Sequence, residues 1–370
     1  MTRVAVLGNT SRNLGAVCAA DLTLAGHQVR YALFPEQAAQ LAAVKERGGF
    51  QVEGKPEQLV SKRTGFAKLH GIHDDPAGAL EGAEVVLIDS PMPGLKARFA
   101  ALIPHLPRDA VVHVQSHGYW PAAWLTPLLR DAGRDDVLIT EAAAPTSAAG
   151  LAGAVVTAKT LRRGIEIATV PGARIDFALA RLKTLFPDFG AAPSVLQTGL
   201  ENANLMVHPA MILLGIGLFE QAGLKGEGLR FYNVCNVPSA GVLGDALDAE
   251  RAKVCAAYGV RHKPVAAHID TYYGTTGKNA YDGVGGCTFY QGLGAYPSTI
   301  WRDWESIDVP YAIVPLVWLA EQAGIKAPLH RAMAEILGTL LGMDPWTAGP
   351  TLADMNLVGT PDAVMKRVRG

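Results

Sequence analysis

The reading of the fold begins at Arg3-Val4-Ala5-Val6-Leu7-Gly8-Asn9-Thr10-Ser11-Arg12-Asn13-Leu14-Gly15-Ala16. Arg3 to Leu7 is a short apolar run, as a doubly buried strand is, and Ala16 to Ala25 reads as the helix after it. Between them lies a turn bounded by glycines. Strand, glycine turn and helix in this order open a dinucleotide-binding unit: one glycine makes the tight strand exit, another lets the helix pack on the strand, and the N–H groups at the helix start face a pyrophosphate. The common G-x-G-x-x-G spacing is stretched here, with Gly8 and Gly15 seven apart and no glycine between them. Gly8, Asn9, Thr10, Ser11, Arg12 and Gly15 are the candidate cofactor contacts.

Working outward, Gln28 to Leu33 is a second strand, followed by Glu84 to Ile88, Ala110 to Val114 and Val137 to Thr140, with helical stretches such as Leu95 to Ile103 between them. Strands alternating with helices predict βαβ units and a parallel sheet covered on both faces. An acid at the end of the second strand would take the ribose 2′-hydroxyl of NAD, but Leu33-Phe34-Pro35 stands there and Glu36 comes late. Arg12 is placed to meet a 2′-phosphate, which tips the reading toward NADP over NAD. Ser90 and Pro91, just past the Glu84–Ile88 strand, are expected beside the cofactor, and His117, in Gln115-Ser116-His117-Gly118, beside the substrate.

The second half is helical. Leu200 to Gln221, Leu243 to Tyr258, Tyr311 to Ala323 and Leu329 to Leu341 read as helices, with a Gly-rich loop from Tyr272 to Gly294. The text changes near residue 188, so residues 1–188 are predicted as an α/β unit and 189–370 as an all-α one, with the active site in the cleft between them.

Composition bounds the function. Of the 370 residues 49% are hydrophobic, and 33 basic against 34 acidic side chains leave a formal charge of -1. That balance gives no electrostatic footprint for nucleic acid or an anionic membrane. The longest membrane-like run, Met211 to Phe219, is nine residues. The four cysteines form no C-x-x-C pair and read as reduced core thiols, so the expected location is cytoplasmic. His70 and His73, followed by Asp74 and Asp75, have no second ligand cluster at a recognised spacing, His113 and His117 straddle a strand end, and a G-x-S-x-G nucleophile is absent, so no metal is expected. Apolar helical surface is compatible with a homodimer.

The most specific local text is Glu201-Asn202-Ala203-Asn204-Leu205-Met206-Val207-His208-Pro209-Ala210. Asn204 and His208 are four apart and share a helix face, and Pro209 is expected to kink that helix or restart it. A second segment, Trp301-Arg302-Asp303-Trp304-Glu305-Ser306-Ile307-Asp308-Val309-Pro310-Tyr311, offers Asp308 either as the cap of a helix beginning at Tyr311 or as a carboxylate orienting His208 for acid–base chemistry. Arg302 is a candidate clamp for a substrate carboxylate.

The run Asn204-x-x-x-His208-Pro209-Ala210, with Asp308-Val309-Pro310-Tyr311 about a hundred residues later, resembles the opine dehydrogenase family. The Gly turn, Glu141 ahead of Thr157-Ala158-Lys159, Leu185-Phe186-Pro187 and Leu247-Asp248-Ala249-Glu250-Arg251 extend the resemblance over roughly residues 3 to 360. It implies a Rossmann-type domain followed by a helical one. It also implies NAD(P)H-dependent condensation of an amino acid with an α-keto acid, often pyruvate, through an imine. The family's catalytic His–Asp pair falls on His208 and Asp308, with Asn204 near substrate. The family's carboxylate-binding Arg lies five residues before the Asp; Asp303 stands there, and Arg302 is one residue off. Two other readings are a 2-keto or 3-hydroxy acid reductase that needs no amine, and a protein that senses NADP(H) without chemistry.

Overall fold

The computed structural model describes residues 1–370. The chain forms two compact units, one of Met1–Thr198 with Val368–Gly370, the other of Gly199–Arg367. The sequence reading places the change at residue 188. The chain leaves the first unit later because the segment after 188 is still anchored there: Val195 and Leu196 are buried, and the Thr198 hydroxyl donates to Glu141 Oε1 at 2.7 Å.

In the first unit twelve strands form two sheets: β1 Arg3–Leu7, β2 Gln28–Ala32, β3 Gly49–Glu53, β4 Gly65–Lys68, β5 Gly71–His73, β6 Val85–Ile88, β7 Val111–Val114, β8 Leu138–Ala142, β9 Ser147–Ala152, β10 Val155–Leu161, β11 Glu166–Thr169 and β12 Gly190–Ala191. The large sheet has the order β12-β11-β8-β7-β6-β1-β2-β5. From β8 to β5 every pairing is parallel, and β6 and β7 are buried at every residue, as strands covered on both faces must be. β11 departs from the expected parallel sheet: it runs antiparallel to β8, because the chain returns from β10 without a crossover helix. The order reverses at β1, which pairs β2 on one side and β6 on the other, so the switch point of the sheet lies at the carboxyl ends of β1 and β6.

The smaller sheet, β4-β3-β10-β9, was not anticipated and packs on the Leu14–Leu24 helix. Its longest strand, β10, alternates buried and accessible residues through Val156-Thr157-Ala158-Lys159-Thr160, and its buried half is Val156, Ala158 and Thr160, which makes a weak apolar signal.

The second unit is helical, its longer helices being Asn204–Leu224, Pro238–Ala257, Val265–Tyr273, Ile300–Asp308, Val314–Gln322 and Pro328–Leu341. Three expectations change. The break before His208 falls at Glu201–Ala203, and the Asn204 helix runs on through Pro209, which lies close enough to its start that little of the ladder is lost. Asp308 is no cap: it ends the Ile300 helix, which passes through a π-helical turn at Val309–Ile313 into Val314–Gln322. The wider turn takes up Pro310, whose missing donor a regular helix would register. The Tyr272–Gly294 loop contains short helices, Ala280–Gly286, capped by the Asn279 side chain on Asp282 N–H at 2.8 Å, and Thr288–Gln291. The stretch Val195–Leu224 is long and apolar enough to cross a membrane by length and composition, more than the nine-residue run suggested, and 61% of its most apolar window is buried within the protein.

Candidate active site

At the switch point of the first unit, Gly8 leaves β1 with φ 82°, and a β-carbon on it would lie 2.4 Å from the Asp89 carbonyl. A β-carbon on Gly15 would lie 1.9 Å from the Gly8 carbonyl oxygen, so the bare α-carbon is what lets the Leu14–Leu24 helix rest on the turn. Both glycines thus have the roles expected of them. The donors at the helix start do not. Asp89, directly after β6 and 1% exposed, accepts from Thr10 N–H at 2.8 Å, the Thr10 hydroxyl at 2.8 Å and Gly15 N–H at 2.9 Å. Burial pushes its carboxyl pKa up, while the Thr10 and Gly15 N–H groups and the Arg12 guanidinium pull it down. Asn9 Oδ1 accepts from Ala16 N–H at 3.0 Å, and the Asn9 backbone is tied both ways to the Gln37 amide. The expectation that these helix N–H groups face a pyrophosphate is therefore corrected: the protein's own Asp89 and Asn9 take them, because a buried helix start needs acceptors. Ser11, exposed, and Arg12, half-buried, are left at the outer edge of the turn. Asp89 was the missed residue. Its signal was a lone carboxylate directly after an all-apolar strand.

The turn fits a dinucleotide in its left-handed strand exit, its bare helix contact and its half-exposed cation. Near the end of β2, Glu36 is paired with the Arg98 guanidinium, which also donates to the Ser90 hydroxyl and lies 5.7 Å over the Phe34 ring. Ser90 is buried with its hydroxyl on the Pro91 carbonyl. His117 lies past β7, half-buried, its ring 6.0 Å from that of Tyr119.

In the second unit the structure brings His208 and Asp308 together. His208 Nδ1–H donates to Asp308 Oδ2 at 2.8 Å, with the residues 5% and 1% exposed. Asn204 Nδ2 donates to the other carboxylate oxygen at 3.2 Å. Asn204, expected beside substrate, thus holds Asp308. The Tyr232 hydroxyl lies 3.1 Å from His208 Nε2, Trp304 stacks on the imidazole at 4.9 Å and 14°, and the edge of Phe231 closes a further side. With Asp308 accepting at Nδ1, the ring is held in the tautomer whose Nε2 is an acceptor. Trp304, Tyr232 and Phe231 escaped the sequence reading because aromatic residues at such spacings are ordinary core.

The Ile300–Asp308 helix explains where its other residues go. Trp301, Glu305 and Asp308 recur at helical spacing and are buried; Arg302 and Asp303 lie on the exposed face. Arg302 reaches the Leu340 carbonyl at 3.3 Å and covers the Trp301 ring, so the structure does not bring it to His208. Glu305, one turn before Asp308, is fully buried with both carboxyl oxygens unpartnered; burial first, and the Asp308 charge second, push its carboxyl well above the usual carboxylate range.

Residues 191–341 match the model of the NAD/NADP octopine/nopaline dehydrogenase alpha-helical domain. The helical half is thus similar to that of the octopine/nopaline dehydrogenases. The whole chain is 26% identical to the opine dehydrogenase of Arthrobacter sp. (strain 1C) over 349 residues, which is 94% of this chain and 93% of that one. An octopine dehydrogenase solved with NADH and L-arginine superposes with a TM-score of 0.74 at 18% identity, over 99% of this chain and 98% of that one. A yersinopine dehydrogenase with NADP+ bound gives 0.68 at 13%, over 100% and 98%. At these identities the solved structures speak for the fold: an N-terminal Rossmann-type unit and an opine dehydrogenase-type helical unit. The chain is an NAD(P)-dependent dehydrogenase.

Proposed function

We propose that the protein is an opine-forming dehydrogenase that joins an amino acid to an α-keto acid, pyruvate first among them, and reduces the imine with NAD(P)H. The observation that carries this is the buried His208–Asp308 hydrogen bond of 2.8 Å inside a helical unit of the octopine/nopaline family. His208 is the acid–base group. As imidazolium it gives a proton to the hydroxyl that leaves the carbinolamine as water; neutral, in the reverse direction, it receives the proton of the secondary amine. Asp308 steadies the imidazolium and, with Asn204, is itself held in place. Such a group contributes ~10²–10⁴-fold. The nicotinamide, when bound, supplies or takes the hydride.

The cofactor reading favours NADP(H). Glu36, the acid near the end of β2, is engaged by Arg98, and Arg12 is half-exposed at the turn. The test follows NADPH and NADH oxidation with pyruvate alone and with pyruvate plus each of an array of amino acids. Oxidation that requires both substrates is the expected result. Equal oxidation with a keto acid alone overturns the proposal in favour of an amine-independent reductase.

A further inference from the structure

We propose that Tyr232 is a further catalytic residue, carrying the proton between His208 and the substrate nitrogen. The inference rests on the function proposed above. Its ground is that the imidazole has no free edge. Nδ1 is held by Asp308 at 2.8 Å, Nε2 faces the Tyr232 hydroxyl at 3.1 Å, one ring face is covered by Trp304 at 4.9 Å, and the residue is 5% exposed. A substrate atom reaches Nε2 directly only if Tyr232 moves. Tyr232 is itself pinned: its ring stacks on Tyr290 at 4.3 Å and 21°, meets the edge of Phe231 at 4.8 Å, and its carbonyl accepts from the Gln291 amide at 3.5 Å. Swinging the ring aside would break its contacts with Tyr290 and Phe231, whereas passing a proton through its hydroxyl breaks none.

A phenol donates and accepts at once, which a relay requires. In the amine-oxidising direction the substrate N–H bond breaks and its proton goes to the Tyr232 oxygen as the phenolic O–H proton goes to His208 Nε2. The hydride leaves the neighbouring carbon for the oxidised nicotinamide of the proposed reaction. Tyrosine ends neutral, and the charge gained is an imidazolium facing Asp308. In the reductive direction the same two protons return.

The experiment compares wild type, Tyr232→Phe and His208→Ala in single turnovers with pyruvate, an accepted amino acid and reduced cofactor, in mixtures of H2O and D2O, with cofactor affinity measured by fluorescence titration. Phe keeps the stacking and deletes only the hydroxyl. The relay predicts a rate lowered by ~10-fold or more in Tyr232→Phe, unchanged cofactor Kd, and a proton inventory that passes from curved, with two protons in flight, to linear. A wild-type rate with an unchanged inventory, or a faster rate because the hydroxyl only obstructed Nε2, overturns the relay. A fully active His208→Ala removes the imidazole, and the relay with it, from the mechanism; cofactor oxidation by wild type with pyruvate alone overturns the function reading itself, and is thereby told apart from failure of the relay.

Discussion

His208 is the residue whose surroundings are most specific, and its replacement is the sharpest check of the chemistry. His208→Ala is expected to bind NAD(P)H as wild type does and to lose ~10²-fold or more in turnover; an equally active variant removes the imidazole from the mechanism. Asp308→Asn keeps the shape and deletes the charge that accepts from Nδ1–H, and its turnover is expected to fall by a comparable factor. Arg302→Ala serves as the contrast: its guanidinium lies on Trp301 and the Leu340 carbonyl, so turnover and substrate affinity are expected to stay near wild type. At this scale sequence reasoning works where a residue is chemically unusual for its context. A histidine among Leu205, Met206 and Val207 stands out, and so does an acid next to Val309-Pro310. It fails where the meaning of a side chain is its partner: nothing in the text says that the Asn204 amide holds Asp308, or that Asn9 and Asp89 take helix N–H groups otherwise free for a phosphate.

The elements divide in the same way. β1, β6, β7 and β8 were legible because strands buried on both faces need mostly apolar text, and β2 because Val29 and Tyr31 alternate with the half-buried Gln28 and Arg30. The smaller sheet was not, since β3 and β10 carry glycine, threonine and lysine and owe their pairing to each other and to the Leu14–Leu24 helix. That helix gives an element-scale prediction. Its closeness to the turn depends on the missing side chain at Gly15, because the atom an added methyl would strike is backbone, the Gly8 carbonyl oxygen at 1.9 Å. Gly15→Ala therefore forces helix and strand apart; a loss of about 1–3 kcal/mol in denaturant unfolding, together with weakened NAD(P)H binding, is expected. Unchanged values for both would mean the helix can slide without cost. The π-helical turn at Val309–Ile313 belongs here as well: it keeps the Ile300 helix running past Pro310, so that Asp308 sits inside a helical run with its side chain buried.

For the molecule as a whole, pH dependence of stability has an identifiable source. Glu141 is fully buried at the end of β8, where Ala122 N–H and the Thr198 hydroxyl donate to it. Burial, only partly offset by those donors, pushes its pKa from 4.5 up to about 7. A carboxyl raised in the folded state contributes stability that is complete below the unfolded value and lost as pH rises through the folded one. Wild type is thus expected to lose on the order of 3 kcal/mol from this group between about pH 4.5 and pH 7. Glu141→Gln, which has no proton to lose, should flatten that part of a denaturation-against-pH curve; an unchanged slope would place its origin elsewhere. What the amino-acid order determined unaided was the division into an α/β half and a helical half and the singling out of His208 and Asp308 as candidates, because periodicity, turn glycines and costly polar residues in apolar helices are local facts; that the two meet is a fact of the tertiary structure. The tertiary structure decided which groups meet: the acceptors at the first helix, the aromatic enclosure of His208, the second sheet and the outward turn of Arg302. Each of these depends on atoms far apart in the chain, and a hydrogen bond across a hundred residues leaves no local trace in the text that encodes it.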